Sequence, residues 1–262
     1  MIESPSTVTI AFNDRVAVIT LNDPARRNAL SRVVLSALTA AFEQAVAHEA
    51  RAVILQAGPG CTVWCAGFDI GDLSPGYDPL AQDGPLQALF RAVQDCPAPV
   101  IGMLNGTAWG GGADLALRCD ITVASPRCTL AFTPARLGLP YDPDGLLNVL
   151  SRAGLGLAME MFATGDAVDA ARAHTAGLLN HVVPDAELEA FTLAMAHRIA
   201  ANAPLSVRSA KQQLRALNSA LPLPAATLHR LLDGRRTALN SADFAEGLTA
   251  FREKRRPVFR GV

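Results

Sequence analysis

The sequence predicts an α/β chain that ends in an all-helical region, and three observations predict it. Short apolar, β-branched runs alternate with helix-period stripes as far as residue 184. From residue 185 the pattern is helical only, over 188–201, 205–217, 225–239 and 243–254, punctuated by Pro204, Pro222 and Pro224. In the middle, residues 105–120 join an Asn105-Gly106 turn signal to three glycines, Gly110, Gly111 and Gly112, and then to good helix formers. The chain accordingly divides into 1–184 and 185–262. The strand–strand–helix order of the first part suits a spiral built turn by turn.

Each element follows from its local pattern. Residues 7–12 and 15–21 are β-branched runs separated by Asn13-Asp14, a two-residue hairpin signal. A polar loop, 23–30, leads to Ser31, a good N-cap for a helix carrying Leu35, Leu38, Phe42 and Val46 on one stripe. Residues 52–57 form a short apolar strand of the kind covered on both faces. Residues 74–85 hold Pro, Gly and Asp without a period and read as a surface loop, either a lid or a passive connection. Leu86, Leu89, Phe90 and Val93 mark the next helix, closed by Cys96-Pro97. An apolar run, 99–104, precedes the glycines. A helix starting near Gly112 points its free N–H groups into the glycine gap. That gap is either a tight packing turn or a place that stabilises developing negative charge. Strand candidates follow at 121–124 and 129–132, then an irregular loop, 133–144, and helix from Gly145. Residues 169–176 form an alanine-rich helix ended by Gly177, and 181–183 a last short strand.

Half of the 262 residues are hydrophobic and 18% are charged, enough for a sizeable buried core. A net charge of −1 and a pI near 6.5 give no reason to expect nucleic acid or an acidic membrane surface as partner. Cys61, Cys65, Cys96, Cys119 and Cys128 show no C-x-x-C pair and no zinc spacing, so no metal site is expected. Such a scattered set reads as reduced core thiols. No apolar run approaches a membrane span, and residues 1–7 lack a secretory pattern, so the expectation is a cytoplasmic protein. The five histidines, His48, His174, His181, His197 and His229, fall outside the glycine-rich motifs and are assigned to structure.

A second motif, residues 64–73, Trp-Cys-Ala-Gly-Phe-Asp-Ile-Gly-Asp-Leu, follows the 52–57 strand. Together with 105–120 it resembles the paired signature of the crotonase (enoyl-CoA hydratase/isomerase) superfamily. That resemblance implies a crotonase-like spiral of ββα turns with a C-terminal helical oligomerisation region. It implies that the backbone N–H groups of Phe68 and Gly111 hold the thioester oxygen of an acyl-CoA. It also implies a CoA-binding set of Arg26, Arg27 and Ala29, in a Pro-x-x-x-Asn-Ala-Leu segment, with Ala66, Asp69 and Ile70. Residues 251–257 resemble the family's terminal Phe-x-Glu-Lys-Arg motif, whose Phe and Lys, here Phe251 and Lys254, contact CoA from a neighbouring subunit. The implied assembly is a trimer or a dimer of trimers. CoA comes as part of the substrate, and no separate cofactor is implied.

The resemblance places the two carboxylates of a crotonase hydratase at Asp114 and Ala135. The first is shorter than the usual glutamate and the second cannot move a proton. Residues 137–141, Leu-Gly-Leu-Pro-Tyr, instead resemble the methylmalonyl-CoA decarboxylase branch, and the likeness spans nearly the whole chain. This sequence departs from that branch with Phe68 in place of a common His and Asp142 in place of Asn. The expected reaction is loss of CO₂ from a malonyl-type thioester. Phe68, Trp109 and Leu139 are expected as pocket walls, and Tyr141 orients the leaving carboxylate or returns the proton. The alternatives are enoyl-CoA hydration or isomerisation with Asp142 or Asp114 as acid and base, and a non-catalytic CoA-binding protein.

Overall fold

A hairpin opens the chain. β1 (Val8–Asn13) and β2 (Val16–Leu21) pair antiparallel with Asn13 opposite Val16, so the turn is Asp14-Arg15, one residue later than expected. Asp14 takes a positive φ of 52°, which a short polar side chain tolerates better than most. The computed structural model describes residues 6–74, 77–218 and 225–261. Residues 1–5, positions 75 and 76 of the irregular loop, and the helix-separating Pro222 and Pro224 lie outside the described residues.

After α1 (Arg32–Ala47), capped by the Ser31 hydroxyl, the chain climbs in repeated turns of two strands and a helix. The first is β3 (Ala52–Ala57), β4 (Val63–Cys65) and α2 (Pro85–Asp95). The second is β5 (Val100–Leu104), β6 (Thr107–Trp109) and α3 (Gly111–Arg118). The third is β7 (Ile121–Ala124), β8 (Thr129–Ala131) and α4 (Pro143–Thr164). Then come β9 (Val168–Asp169), α5 (Ala170–Thr175) and β10 (His181–Val182). The helices α6 (Leu188–Ala201), α7 (Pro204–Asn218), α8 (Ala225–Leu239) and α9 (Ala242–Arg252) close the chain.

The first strand of each turn joins one sheet, ordered β1-β2-β3-β5-β7-β10, and the second joins another, ordered β4-β6-β8-β9. Apart from β1–β2 and β8–β9, the pairs are parallel, as the helical crossovers require. This is the spiral of ββα turns that the resemblance implies. One face of the larger sheet is buried by α6, whose Leu188, Met195 and Ala196 pack on Val16, Ile54, Ile101 and Val123. The other face carries the main core, including Phe42, Phe90 and Leu117. Each such side chain contributes roughly 1.5–3 kcal/mol on burial. Phe244 and Leu248 of α9 pack with Leu73, Leu139 and Leu239.

Three short strands escape the sequence pattern. β4 and β6 have three residues each and β9 two, too few to establish an alternation. The irregular loop 133–144 contains a 3₁₀ turn, Pro134–Leu137, and α3 starts at Gly111 rather than Gly112. Contrary to the expectation from the sequence, α4 is long and apolar enough to match a membrane span. Gly154, at φ 74° and ψ 169°, breaks it into two shorter helices placed end to end.

Candidate active site

The site begins where two backbones come into contact. Gly67 lies after β4 with φ +91°, and a Cβ there would sit 2.5 Å from the Trp109 carbonyl and 3.2 Å from the Gly111 nitrogen. A Cβ on Gly112 would sit 2.5 Å from the Cys65 carbonyl. Only glycine permits this approach. It brings the N–H of Phe68 beside that of Gly111, whose Cβ position is 3.5 Å from the Phe68 nitrogen. Gly111 is the first residue of α3, so its N–H has no partner inside the helix. Phe68 is fixed by a bridge to Leu30, through Leu30 N–H to Gly67 O at 2.7 Å and Asp69 N–H to Leu30 O at 3.3 Å. Among the described residues neither the Phe68 nor the Gly111 N–H donates a hydrogen bond.

Asp114, one turn into α3, is fully buried and collects donors from several sides. Arg118 gives Nε at 2.9 Å and Nη2 at 3.4 Å, Asn148 gives Nδ2 at 3.1 Å, and the Tyr141 hydroxyl donates at 3.1 Å. Arg118 also lies over the Phe90 ring, 4.8 Å from its centre. Burial pulls the Arg118 pKa down, but the charge and hydrogen bond of Asp114 outweigh it, and the guanidinium is held above its ordinary value. The Tyr141 ring meets Phe132 edge-on at 5.4 Å and Phe162 at 5.1 Å. Burial and the neighbouring charges of Asp114 and Asp142 raise its phenol well above 10.

Asp142 caps α4, with Oδ2 accepting from Gly145 N–H at 3.3 Å and from Gln87 Nε2 at 3.2 Å. Its Oδ1 is buried without a partner among the described residues. Burial first, then repulsion from Asp114, raises its carboxyl from 3.8 to about 6, against the lowering pull of Arg118. Ala135 sits exposed on the 3₁₀ turn. Leu139 is buried and Phe68 partly buried. Trp109 is 44% exposed, because Ala108 takes the inward place in β6 and the next side chain lies on the opposite face.

The loop and the motif expected to hold CoA are tied together. Ala66 N–H donates to Arg27 O at 3.1 Å, and Arg26 forms an ion pair with Asp69. Arg26, Arg27 and Ala66 are exposed beside the partly buried Ala29, Asp69 and Ile70. Asn28, which motif reading passed over as a contact, is the buried pin of this loop. Its side chain bonds Asp23 N–H at 2.8 Å and Trp64 O at 3.0 Å. Phe251 and Lys254 are exposed at the end of α9, which meets the second motif through Phe244 and Leu248 packing with Leu73 and through Arg252 Nη2 donating to Leu73 O at 3.2 Å. Arg118 was legible as an i+4 partner of a helical acid. Gln87 and Asn148 carry no motif and emerge only from the folded geometry.

The sequence profile of the enoyl-CoA hydratase/isomerase family matches residues 11–262. The chain belongs to that family. The methylmalonyl-CoA decarboxylase of Escherichia coli is 39% identical over 97% of this chain and 98% of its own. A solved structure of methylmalonyl-CoA decarboxylase in complex with 2-nitronate-propionyl-CoA aligns with a TM-score of 0.94 at 38% identity, covering 98% of this chain and 99% of the other. A probable enoyl-CoA hydratase of Rhodobacter capsulatus is 34% identical over 97% of this chain and 98% of its own. The protein is thus a crotonase-family enzyme with both decarboxylase and hydratase relatives.

Proposed function

We propose that this enzyme decarboxylates methylmalonyl-CoA, or a close malonyl-type thioester, to propionyl-CoA. The observation that carries the reading is the pair of unengaged main-chain N–H groups at Phe68 and Gly111 beside a site that lacks an acid at position 135. Both amides donate to the thioester oxygen. The C–C bond to the carboxylate breaks, CO₂ leaves, and the electron pair moves into an enolate whose oxygen they hold. No base is needed for that step, and one such donor is typically worth about 3–4 kcal/mol. A proton drawn ultimately from solvent then adds to the α-carbon. Tyr141 orients the carboxylate or passes that proton. Its hydroxyl proton rests on Asp114, so it must turn away from Asp114 to donate.

CoA enters as part of the substrate, on Arg26, Arg27, Ala29, Ala66, Asp69 and Ile70, with Phe251 and Lys254 serving a neighbouring subunit. The reaction asks for no further cofactor. Exposed Leu205, Leu214 and Leu217 on α7, with Leu155 and Met159 on α4, support assembly into a trimer or a dimer of trimers. Five free cysteines support a reducing, cytoplasmic setting.

One observation favours a second reading. The unpaired Oδ1 of Asp142 and its carboxyl held near 6 suit an acid–base role on an enoyl-CoA. Two assays separate them. CO₂ release from methylmalonyl-CoA is expected to outrun hydration of crotonyl-CoA, to fall in Tyr141→Phe, and to be little changed in Asp142→Asn. Efficient hydration that vanishes in Asp142→Asn and ignores Tyr141→Phe would replace decarboxylation with the second reading.

A further inference from the structure

The hydroxyl of Tyr141 can redirect little more than its O–H bond. Its ring packs against Phe132 and Phe162 and lies over Gly145, where a Cβ would overlap it. The phenol therefore keeps its place, and the strength of Asp114 as an acceptor decides where its proton points. A carboxylate offers about four lone-pair sites. Asp114 has a donor for each. Its Oδ1 accepts from Arg118 Nε at 2.9 Å and Asn148 Nδ2 at 3.1 Å. Its Oδ2 accepts from Arg118 Nη2 at 3.4 Å and the Tyr141 hydroxyl at 3.1 Å. Donors on one carboxylate divide its charge, so each weakens the pull on the others.

Arg118 supplies the counter-charge, whereas Asn148 is neutral and its amide has two possible orientations. Its neighbours leave it one. Arg152, one turn further along α4, gives Nε to Asn148 Oδ1 at 3.4 Å, and a guanidinium can only donate. The Asp114 carboxylate can only accept, so the amide nitrogen is turned to it from both sides. Arg152 is in turn held at the end of α3, through Nη2 to Leu117 O at 2.7 Å and to Cys119 O at 3.4 Å. Carbonyls that the helix leaves without an internal partner thus fix the amide that reaches Asp114 in its first turn.

We propose that Asn148, oriented by Arg152, is a positioning residue that limits how tightly Asp114 holds the Tyr141 hydroxyl and so leaves that hydroxyl able to turn to the acyl-CoA. The turn to substrate rests on the decarboxylation reading; the hold by Asp114 does not. Tyrosine labelled with ¹³C at Cζ reports that hold, and in a Tyr77→Phe background Tyr141 is the one tyrosine left. Asn148→Leu removes the donor at nearly constant volume, with Asn148→Ala as the alternative should leucine prevent folding. The Tyr141 signal is expected to move downfield, as a phenol carbon does when its hydrogen bond to an anion strengthens. Turnover of methylmalonyl-CoA is expected to fall about tenfold in Asn148→Leu, the size of a modest change in one charged hydrogen bond. Added to Tyr141→Phe, the same substitution is expected to cost nothing further, whereas a packing defect slows both backgrounds alike. An unmoved signal, or an equal loss in both backgrounds, overturns the role of Asn148 and leaves decarboxylation standing. A wild-type enzyme that releases no CO₂ from methylmalonyl-CoA overturns the decarboxylation reading instead, and the carbon signal alone then decides the Asn148 assignment.

Discussion

Replacing Asp142 with Asn is expected to stabilise the protein at neutral pH and to do nothing of the kind in acid. The carboxyl is displaced upward in the fold, from 3.8 to about 6, by burial and by Asp114. Each pH unit of displacement corresponds to about 1.4 kcal/mol, so keeping Asp142 ionised inside the fold costs about 3 kcal/mol. The sign follows from proton counts. Below pH 3.8 the folded and unfolded chains both hold the proton and no penalty exists. Between 3.8 and about 6 the unfolded chain gives it up while the fold retains it, so stability falls as pH rises. Above about 6 the penalty is complete. Asn keeps the cap oxygen for Gly145 and never ionises. Guanidinium titrations of both proteins at matched protomer concentration, near pH 4, 6 and 8, measure the difference. The advantage of Asn is expected to grow from about pH 4 to about pH 8 by up to about 3 kcal/mol. A difference that stays constant across this range, or that turns against Asn at the alkaline end, would refute the reasoning.

Three further outcomes are expected. Gly67→Ala forces a side chain into a positive φ and against the Trp109 carbonyl. It should separate the two amides and lower turnover about 100-fold or more in single-turnover kinetics. Wild-type turnover with an unchanged melting curve would count against the site. Arg118→Met strips the buried Asp114 of its cation, at 5% and 0% side-chain exposure, and should cost about 3–5 kcal/mol by denaturant titration. A loss below about 1 kcal/mol would mean that Asn148 and Tyr141 suffice. Lys254→Ala should weaken CoA binding in a salt-dependent manner while sparing turnover of bound substrate. Unchanged affinity at low salt would remove that residue from the CoA site.

What the sequence made legible and what it hid divide along physical lines. β3 and β5 are visible because a strand buried on both faces writes a continuous apolar run, whereas Val63–Cys65 and Thr107–Trp109 are too short to write anything. The glycines at 110–112 were readable as backbone open to close approach, whereas the need for Gly67 appears only in the fold. Which amides they leave unengaged follows only from the packing of β4 against β6. The facing of Trp109 depends on its belonging to a strand that was not visible in the sequence. The partners of Asp114 show the same limit. Arg118 is four residues away on one helix, while Tyr141 and Asn148 lie 27 and 34 residues on and meet it through the fold.

The pairing of two peptide N–H groups has a consequence for how such a protein can change. Peptide nitrogens do not titrate in water and do not oxidise, and only a proline codon removes their hydrogen. Any substitution at residue 68 except proline changes the side chain and leaves the amide donor in place. New acyl preferences are therefore within reach of single substitutions around an unchanged pair of donors. The chemistry itself is exposed to mutation at the small residues that let one loop lie against another, far more than at any acidic or basic side chain.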